Sequence, residues 1–330
     1  MFEGFAHVWT PVTLSRRLKA GKPLAVEVGG EKLALFRNPQ GGVSALHDRC
    51  PHRGVSLSLG KVTADGCLEC PFHAWRFDGQ GKNCGVPLNP DAKRERLFAT
   101  SVPARDVGGL LWVYTAPGEA PQEPTVPDGL TLPKLARTYL EVDWKVHWTR
   151  AMENMLDSPH VPFLHAKTIG RFVRPYLKPD SRMDVMWEDT SYGGRTKAII
   201  DQDTSREAGH LDFYQPNIMV LHIPMPGQVF RMHAVCVPVN QETTKMIVVG
   251  ARSFATLPLL NPVFNWSNRR IVMEDKAAVE SSDPPEVPPP SEEVSVRTDK
   301  ATLRFRRYYF EVLKPSSSRP NPRLTPVEAA

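Results

Sequence analysis

Long apolar runs are missing from this sequence. No stretch approaches the roughly 18 consecutive apolar residues of a membrane-spanning helix, so no bilayer crossing is expected. Concentrated positive charge is missing too: the net charge of +5 is mild beside the Lys/Arg-dense face of a nucleic-acid binder. Cysteine is scarce, at five in 330 residues, which excludes a disulfide-stapled secreted scaffold. The N-terminus carries no charged segment followed by an apolar run, so a secretory signal is not expected and a reducing cytoplasm is the expected setting. No internal repeat is visible. What is present is an ordinary globular composition, 41% hydrophobic and 23% charged, in a chain long enough for two domains and able to bury about three-quarters of its unfolded surface.

Two of the few cysteines stand in short pairs with histidine. Cys50 and His52 flank Pro51, Cys70 and His73 bracket Pro71 and Phe72, and seventeen residues lie between His52 and Cys70. The pattern is C-x-H-x17-C-x2-H. Two thiolates and two neutral imidazoles on two short loops suit a Rieske 2Fe–2S cluster, in which cysteines hold one iron and histidines the other. Histidine in place of thiolate removes negative charge and raises the potential, so the cluster accepts and passes one electron. Pro51 and Pro71 stiffen the loop tips, Gly54 permits a tight bend, and Trp75 is placed to shield the group from water. A structural zinc site is the competing reading, and Cys67 with Cys70 even offers a C-x2-C. Zinc pairs usually take about two to four intervening residues, whereas Cys50 and His52 have one between them. The spare cysteines, Cys67, Cys84 and Cys236, are expected as free, small, buried hydrophobes. Arg49, Arg53, Lys61, Arg76 and Lys82 around the loops could dock an acidic electron carrier.

Along the chain, residues 1–118 read as β-rich, with an extended segment at 7–12 and strands at 24–28, 33–37, 43–46 and 110–114. Residues 116–133 contain five prolines and two glycines, a stiff linker composition that sets the domain boundary. Residues 138–147 alternate with period two. At 148–164 the register becomes helical (Trp148, Met152, Met155, Leu156), disturbed at Pro159 and Pro162. Strands follow at 183–188, 195–201, 218–223, 229–237 and 246–253. A helix at 263–281, a proline-extended stretch at 284–290 and a last amphipathic helix at 294–313 complete the pattern. The expected fold class is α+β, an all-β domain at 1–118, a linker at 119–133 and a helix-grip domain with an antiparallel sheet at 134–314, then a disordered tail at 315–330.

The helix after the linker carries Asn154, Asp157, His160 and His165. Two histidines five apart on a proline-disturbed helix can converge on one ion, and Asp157 lies one turn before His160. A third hard ligand completes the 2-His-1-carboxylate triad that leaves non-haem Fe(II) positions open for O2 and substrate. Glu274 and Asp275 are both candidates, and helical periodicity does not separate them. Alone, His160 and His165 read more readily as packed or surface histidines; a cluster upstream needs an electron acceptor, so the two motifs support each other. Met219, Leu221, Ile223, Phe230, Met232 and Val235 are candidate pocket walls, with Asn217 or His233 as orienting donors, against the competing reading of ordinary sheet core. His147, His210 and His222 receive no role.

With both motifs in hand, the chain resembles the Rieske non-haem iron oxygenases over nearly its whole length. The second signature is N-x2-D-x2-H-x4-H, from Asn154 to His165. Glu274, Asp275 and Lys276, with Glu280, Ser281, Glu293, Asp299 and Lys300 beyond, look like the C-terminal region of the family's N- and O-demethylase branch. There the Asp of the Glu-Asp-Lys run ligates iron, which selects Asp275. The resemblance implies a head-to-tail homotrimer in which Asp157 bridges its own His160 and His73 of the partner subunit, a second-layer contact that orients imidazoles. It also implies a ferredoxin or flavin reductase drawing on NAD(P)H, O2 as cosubstrate, and hydroxylation or demethylation of a small aromatic or heterocyclic molecule. Ala74 departs from the family's usual Gly, and the lack of a C-terminal Cys-x-x-Cys points away from the chlorophyll-breakdown branch. Two rivals remain, a Rieske electron carrier without oxygenase activity and a zinc-stabilised interaction protein. Metal analysis separates the three readings: the oxygenase is expected to hold about three irons per chain with acid-labile sulfide, the carrier two, and the zinc protein none.

Overall fold

A computed structural model of the chain describes residues 1–201 and 209–316. Its first eleven strands are short: β1 (Trp9–Leu14), β2 (Leu24–Val28), β3 (Glu31–Arg37), β4 (Val43–His47), β5 (Lys61–Val62), β6 (Leu68–Glu69), β7 (Arg76–Phe77), β8 (Asn83–Gly85), β9 (Ser101–Val102), β10 (Ala104–Val107) and β11 (Leu110–Tyr114). They form three antiparallel sheets in the orders β1-β11-β10, β2-β3-β4-β9 and β5-β6-β7-β8. Leu46, Cys50, Leu57, Leu68, Cys70 and Phe77 make a separate small core under the last sheet. The cysteine–histidine loops rise from that core.

The linker is docked rather than free. A short helix, α1 (Asp128–Thr131), buries Leu130 in the core of the first sheet, and the Arg137 guanidinium donates to the Gly129 carbonyl at 3.1 Å. Seven strands follow as one antiparallel sheet: β12 (Ala136–Trp144), β13 (Met183–Thr190), β14 (Gly193–Ile200), β15 (His210–Tyr214), β16 (Ile218–His222), β17 (Phe230–Pro238) and β18 (Thr244–Arg252). The spatial order is β12-β18-β17-β16-β15-β14-β13. Side chains alternate across a strand, and along β16, β17 and β18 both faces are covered. Ile218, Val220, Val235, Val237, Ile247 and Val249 pack with Trp9, Leu111 and Val113 of the front unit. Met219, Ala234, Cys236, Met246 and Val248 face the other way, onto helices α2 (Trp148–Leu156), α4 (Asn261–Val279) and α5 (Lys300–Tyr308). Between α2 and α4 lies the short α3 (Val161–Leu164), and α5 runs through a wider turn into α6 (Lys314–Ser316).

Several expectations need correction. The strand β15 was not foreseen, because His210 and Asp212 on one face dilute the apolar alternation. The helix expected at 148–164 is two helices: Asp157, at φ −82° and ψ 120°, ends the first, and Pro159 keeps Ser158 before it out of the helical region. The last helix begins at Lys300, not 294. Cys67 and Cys84 are paired as a disulfide rather than free, their Cα atoms 7.0 Å apart, whereas Cys236 is a fully buried thiol as expected. Of the expected tail, residues 317–330 lie outside the described residues.

A buried charge network ties the helical layer together. The Arg306 Nε donates to Glu153 Oε1 at 2.6 Å and Arg150 donates to Glu293 Oε1 at 2.7 Å, with Arg306 and Arg150 only 5% and 8% exposed. Removing Arg306 leaves the half-buried Glu153 and Glu293 to share Arg150 alone. Arg306→Met is therefore expected to lower unfolding free energy by about 2 kcal/mol, read as a shifted urea midpoint at unchanged slope.

Candidate metal centres

The two cysteine–histidine loops are built alike. In the first, the Cys50 amide donates to the Val55 carbonyl and the Gly54 amide to the Cys50 carbonyl, both at 2.8 Å. In the second, the Cys70 amide donates to the Trp75 carbonyl at 2.8 Å and the Ala74 amide to the Cys70 carbonyl at 3.1 Å. Each closes through a left-handed residue four places after its cysteine, Gly54 at φ +74° and Ala74 at φ +54°. Glycine occupies that region without strain, whereas an L side chain costs about 1–2 kcal/mol. Ala74 thus carries strain that the first loop avoids.

Cys50 and Cys70 are each 2% exposed. Burial pushes the Cys50 thiol up, with Cys70 beside it adding to the effect. His52 is held down, toward the neutral ligand form, by desolvation, by Arg53 and by His73. Its ring lies flat on Trp75, centroids 4.3 Å apart and planes 3° from parallel, and meets His73 at 4.7 Å. His52 Nδ1 is buried without a hydrogen-bond partner. Two crowded thiols and a buried, unpartnered imidazole nitrogen fit a thiolate- and imidazole-bound cluster. The basic residues round the loops are partly committed: Lys61 pairs with Glu69 at 3.2 Å and Arg76 with Asp65 at 3.2 Å, while Arg49, Arg53 and Lys82 are exposed.

The second constellation assembles at the break between α2 and α3. Asp157 Oδ2 accepts from both the backbone amide and the Nδ1 of His160, each at 3.0 Å. Gly170 lets the chain fold back over His165: its amide donates to the His165 carbonyl at 2.9 Å, and a Cβ there would stand 2.3 Å from the Val161 carbonyl oxygen. From α4, Asn268, Val272, Asp275 and Val279 form the buried stripe, spaced four, three and four residues apart. Asp275 is on that stripe and Glu274 is one step round the helix. This spacing was present in the sequence, and it separates the two carboxylates once the inward positions are aligned.

Asp275 Oδ1 lies 3.0 Å from His165 Nε2 and 3.6 Å from His160 Nε2. Behind them, Glu274 Oε2 accepts from His165 Nδ1 at 2.8 Å and from the Thr168 hydroxyl at 2.6 Å. With both Nδ1 atoms donating outward, both Nε2 lone pairs point at Asp275. Asp275 Oδ1 is buried without a hydrogen-bond partner, and one ligand atom from each of His160, His165 and Asp275 lies within 4.8 Å of the other two. Burial opposes a charge on His165, but Asp275 and Glu274 outweigh it and raise its pKa; the same field favours a cation. His160 is 20% exposed and His165 2%, so the triad opens on the His160 side. These donors suit an N/O-preferring ferrous ion. Asn154 sits one turn before Asp157, its Nδ2 buried and unpartnered.

Of the pocket candidates, Met219, Leu221 and Met232 are on the helix-side face with this triad. Met232 Sδ would lie 3.3 Å from a Cβ on Gly250, and Asn268 Nδ2 of the α4 stripe 3.2 Å from it. Phe230 and Ile223 share that face at its edge, Phe230 packing on Phe254 with centroids 5.5 Å apart. Val235 does not belong: it is on the opposite face, in the core shared with the front unit. Nor are Asn217 and His233 orienting donors. Asn217 donates to the Thr10 hydroxyl at 3.0 Å and the Cys236 carbonyl at 2.9 Å. His233 Nδ1 donates to the Val249 carbonyl at 3.0 Å on the far face, and burial lowers its pKa to about 4.

Comparison with known proteins bears on both centres. Residues 8–100 match the Rieske [2Fe-2S] domain family, and residues 144–314 the vanillate O-demethylase oxygenase C-terminal domain family. Chlorophyllide a oxygenase of Chlamydomonas reinhardtii is 35% identical over 171 residues, 51% of this chain and 26% of that protein. The 3-chlorobenzoate-3,4-dioxygenase oxygenase subunit of Comamonas testosteroni is 35% identical over 160 residues, 48% of this chain and 37% of that one. The chain thus spans roughly a quarter to just over a third of these curated relatives. NdmA of Pseudomonas putida CBB5 superposes with a TM-score of 0.79 at 25% identity, covering 92% of this chain and 89% of that one. Dicamba monooxygenase shares the fold, with a TM-score of 0.77 at 20% identity over 95% of this chain and 98% of that one. Among the described residues no helix is long and apolar enough to cross a membrane.

The two carboxylates are expected to separate by metal retention. Asp275→Asn should lose the mononuclear iron outright. Glu274→Gln should bind it about 10–100-fold more weakly, measured as iron left after dialysis against a chelator, with the visible cluster spectrum intact in both. Equal loss in the two variants would count against this division of roles.

Proposed function

Because the chain belongs to the Rieske non-haem iron oxygenases, we propose that it is an oxygenase component that uses O2 and reductase-derived electrons to hydroxylate or oxidatively demethylate a small aromatic or heterocyclic substrate. The observation that carries the reading is the presence in one chain of both donor sets: Cys50, His52, Cys70 and His73 in the front unit, and His160, His165 and Asp275 on the helix side of the large sheet. A pure electron carrier has no use for the second set. The proposed division of labour is a cluster domain at 1–118, a linker at 119–133 and a catalytic domain at 134–314.

When bound, the cluster would supply single electrons and the ferrous ion would supply O2 activation. The chain's own residues do the rest. Asp157 and Glu274 hold the His160 and His165 imidazoles by their Nδ1 protons, so that neither ring can rotate its Nε2 away. Met219, Leu221 and Met232 offer an apolar wall that favours a flat, uncharged substrate and keeps water out. If the hydroxylated carbon is bonded to N or O, the product collapses with loss of an aldehyde, which is demethylation. Asp157 is one-quarter exposed on its side chain and His73 is exposed; both are open to a second copy of the chain. This supports a homotrimer in which Asp157 reaches His73 of the partner subunit, with Asn154 supporting that contact. An acidic ferredoxin or a flavin reductase would dock on the exposed Arg49, Arg53 and Lys82 and supply NAD(P)H-derived electrons to the cluster that Cys50, His52, Cys70 and His73 would hold. A cytoplasmic location suits the free thiols of Cys50, Cys70 and Cys236, whereas the Cys67–Cys84 disulfide runs against a reducing compartment.

His160→Ala is expected to remove one iron and all turnover while leaving the cluster absorbance unchanged. The accompanying screen measures substrate-dependent NADH consumption with a surrogate reductase, following formaldehyde and hydroxylated products. Loss of the cluster spectrum in that variant would overturn the separation of the two centres.

A further inference from the structure

The sheet face turned away from the catalytic helices carries a second convergence of ligand side chains. His210 on β15 is paired directly with His222 on β16, and Asp212 lies two residues along β15. Period-two alternation therefore places all three on one face. The imidazoles are stacked, centroids 4.0 Å apart at 17°. Asp212 Oδ2 lies 2.9 Å from His222 Nε2 and 3.9 Å from His210 Nε2, and one ligand atom from each residue lies within 4.8 Å of the other two.

We propose that His210, Asp212 and His222 bind a divalent cation that favours imidazole and carboxylate, zinc foremost. Metal–ligand bonds of about 2.0–2.1 Å in a tetrahedron put neighbouring ligand atoms about 3.3 Å apart, and the two distances to Asp212 straddle that value. His222 Nε2 is a buried atom without a hydrogen-bond partner despite its closeness to Asp212. Proximity without donor–acceptor alignment also marks Asp275 Oδ1 and His165 Nε2 at the first centre. The two sites thus share one signature on opposite faces of one sheet.

Access and orientation both fit. Asp212 is 2% exposed while His210 is 32% and His222 19% exposed, so a fixed carboxylate sits beneath two reachable rings. Arg195 holds that carboxylate, Nε to Oδ1 at 2.7 Å and a terminal nitrogen to Oδ2 at 3.1 Å. The guanidinium orients the ligand but competes with the cation, which limits affinity. Arg231 is neutralised by Asp128. Leu211 and Leu221, interleaved with the ligands, point into the helix-side core. Ligation would pin the backbone that carries them.

The test loads the iron-replete protein with zinc chloride, removes excess by gel filtration and counts metals. One zinc per chain is expected beyond the iron. His210→Ala combined with His222→Ala should weaken zinc binding by about tenfold or more, with iron and sulfide unchanged. The His160→Ala, His165→Ala protein should still take up zinc, since its loss would mean zinc enters the first centre and would overturn the proposal. Equal uptake by wild type and the His210/His222 variant, or no uptake by wild type at millimolar zinc, would also overturn it. Should the double variant not fold, His210→Gln serves: zinc is expected to raise the melting temperature of wild type and not of this variant, and an equal rise in both refutes the site.

Discussion

The burial of strands β16, β17 and β18 on both faces of the large sheet is the constraint from which the rest of the structure follows. Strands β16, β17 and β18 send Ile218, Val220, Val235, Ile247 and Val249 toward the front unit and Met219, Ala234, Cys236 and Val248 toward the helices. Apolar burial is worth roughly 25 cal/mol per Å², and here a single layer of backbone supports it twice. The front unit is thereby anchored to the same strands whose other side faces α4 and the triad. Polar contacts at the seam, such as Asn217 with the Thr10 hydroxyl, fix the register of a largely greasy joint.

Charge is managed locally around that layer. Each imidazole of the triad has a carboxylate behind it, Asp157 for His160 and Glu274 for His165. An imidazole whose Nδ1 proton is held by a carboxylate presents its Nε2 lone pair in one fixed direction. Burial would by itself disfavour so many acids near the core, and partners on neighbouring elements offset it. The Arg150–Glu293 and Arg306–Glu153 pairs do the same between α2, α5 and the bend before it.

Legibility in the sequence followed the range of the interaction. The loop ligands were readable because a cysteine, a proline and a histidine within four residues fix their own geometry. His160 and His165 were readable for the same reason, helped by Pro159 and Pro162. Val235 was assigned to the wrong face because a strand covered on both sides is apolar at every position, so alternation gives no phase. The strand β15 was hidden for the opposite reason: one of its faces is polar through His210 and Asp212. On periodicity, as opposed to family resemblance, Asp275 and Glu274 could be told apart only with the whole stripe Asn268, Val272, Asp275 and Val279 in view, and two of its members are not apolar enough to advertise themselves. The pairing of Cys67 with Cys84 joins residues 17 apart in sequence, a contact of the folded small sheet with no local trace.

The lopsided pair of rings at the loop tips has an implication for traffic. Trp75 roofs His52 while His73 stands in the open. A visiting macromolecule can press against one ring edge only, so its angle of approach is dictated before any surface charge is felt. Two visitors that require the same edge cannot be seated together. Either they alternate, each departing before the next arrives, or one of them must reach the centre by another side.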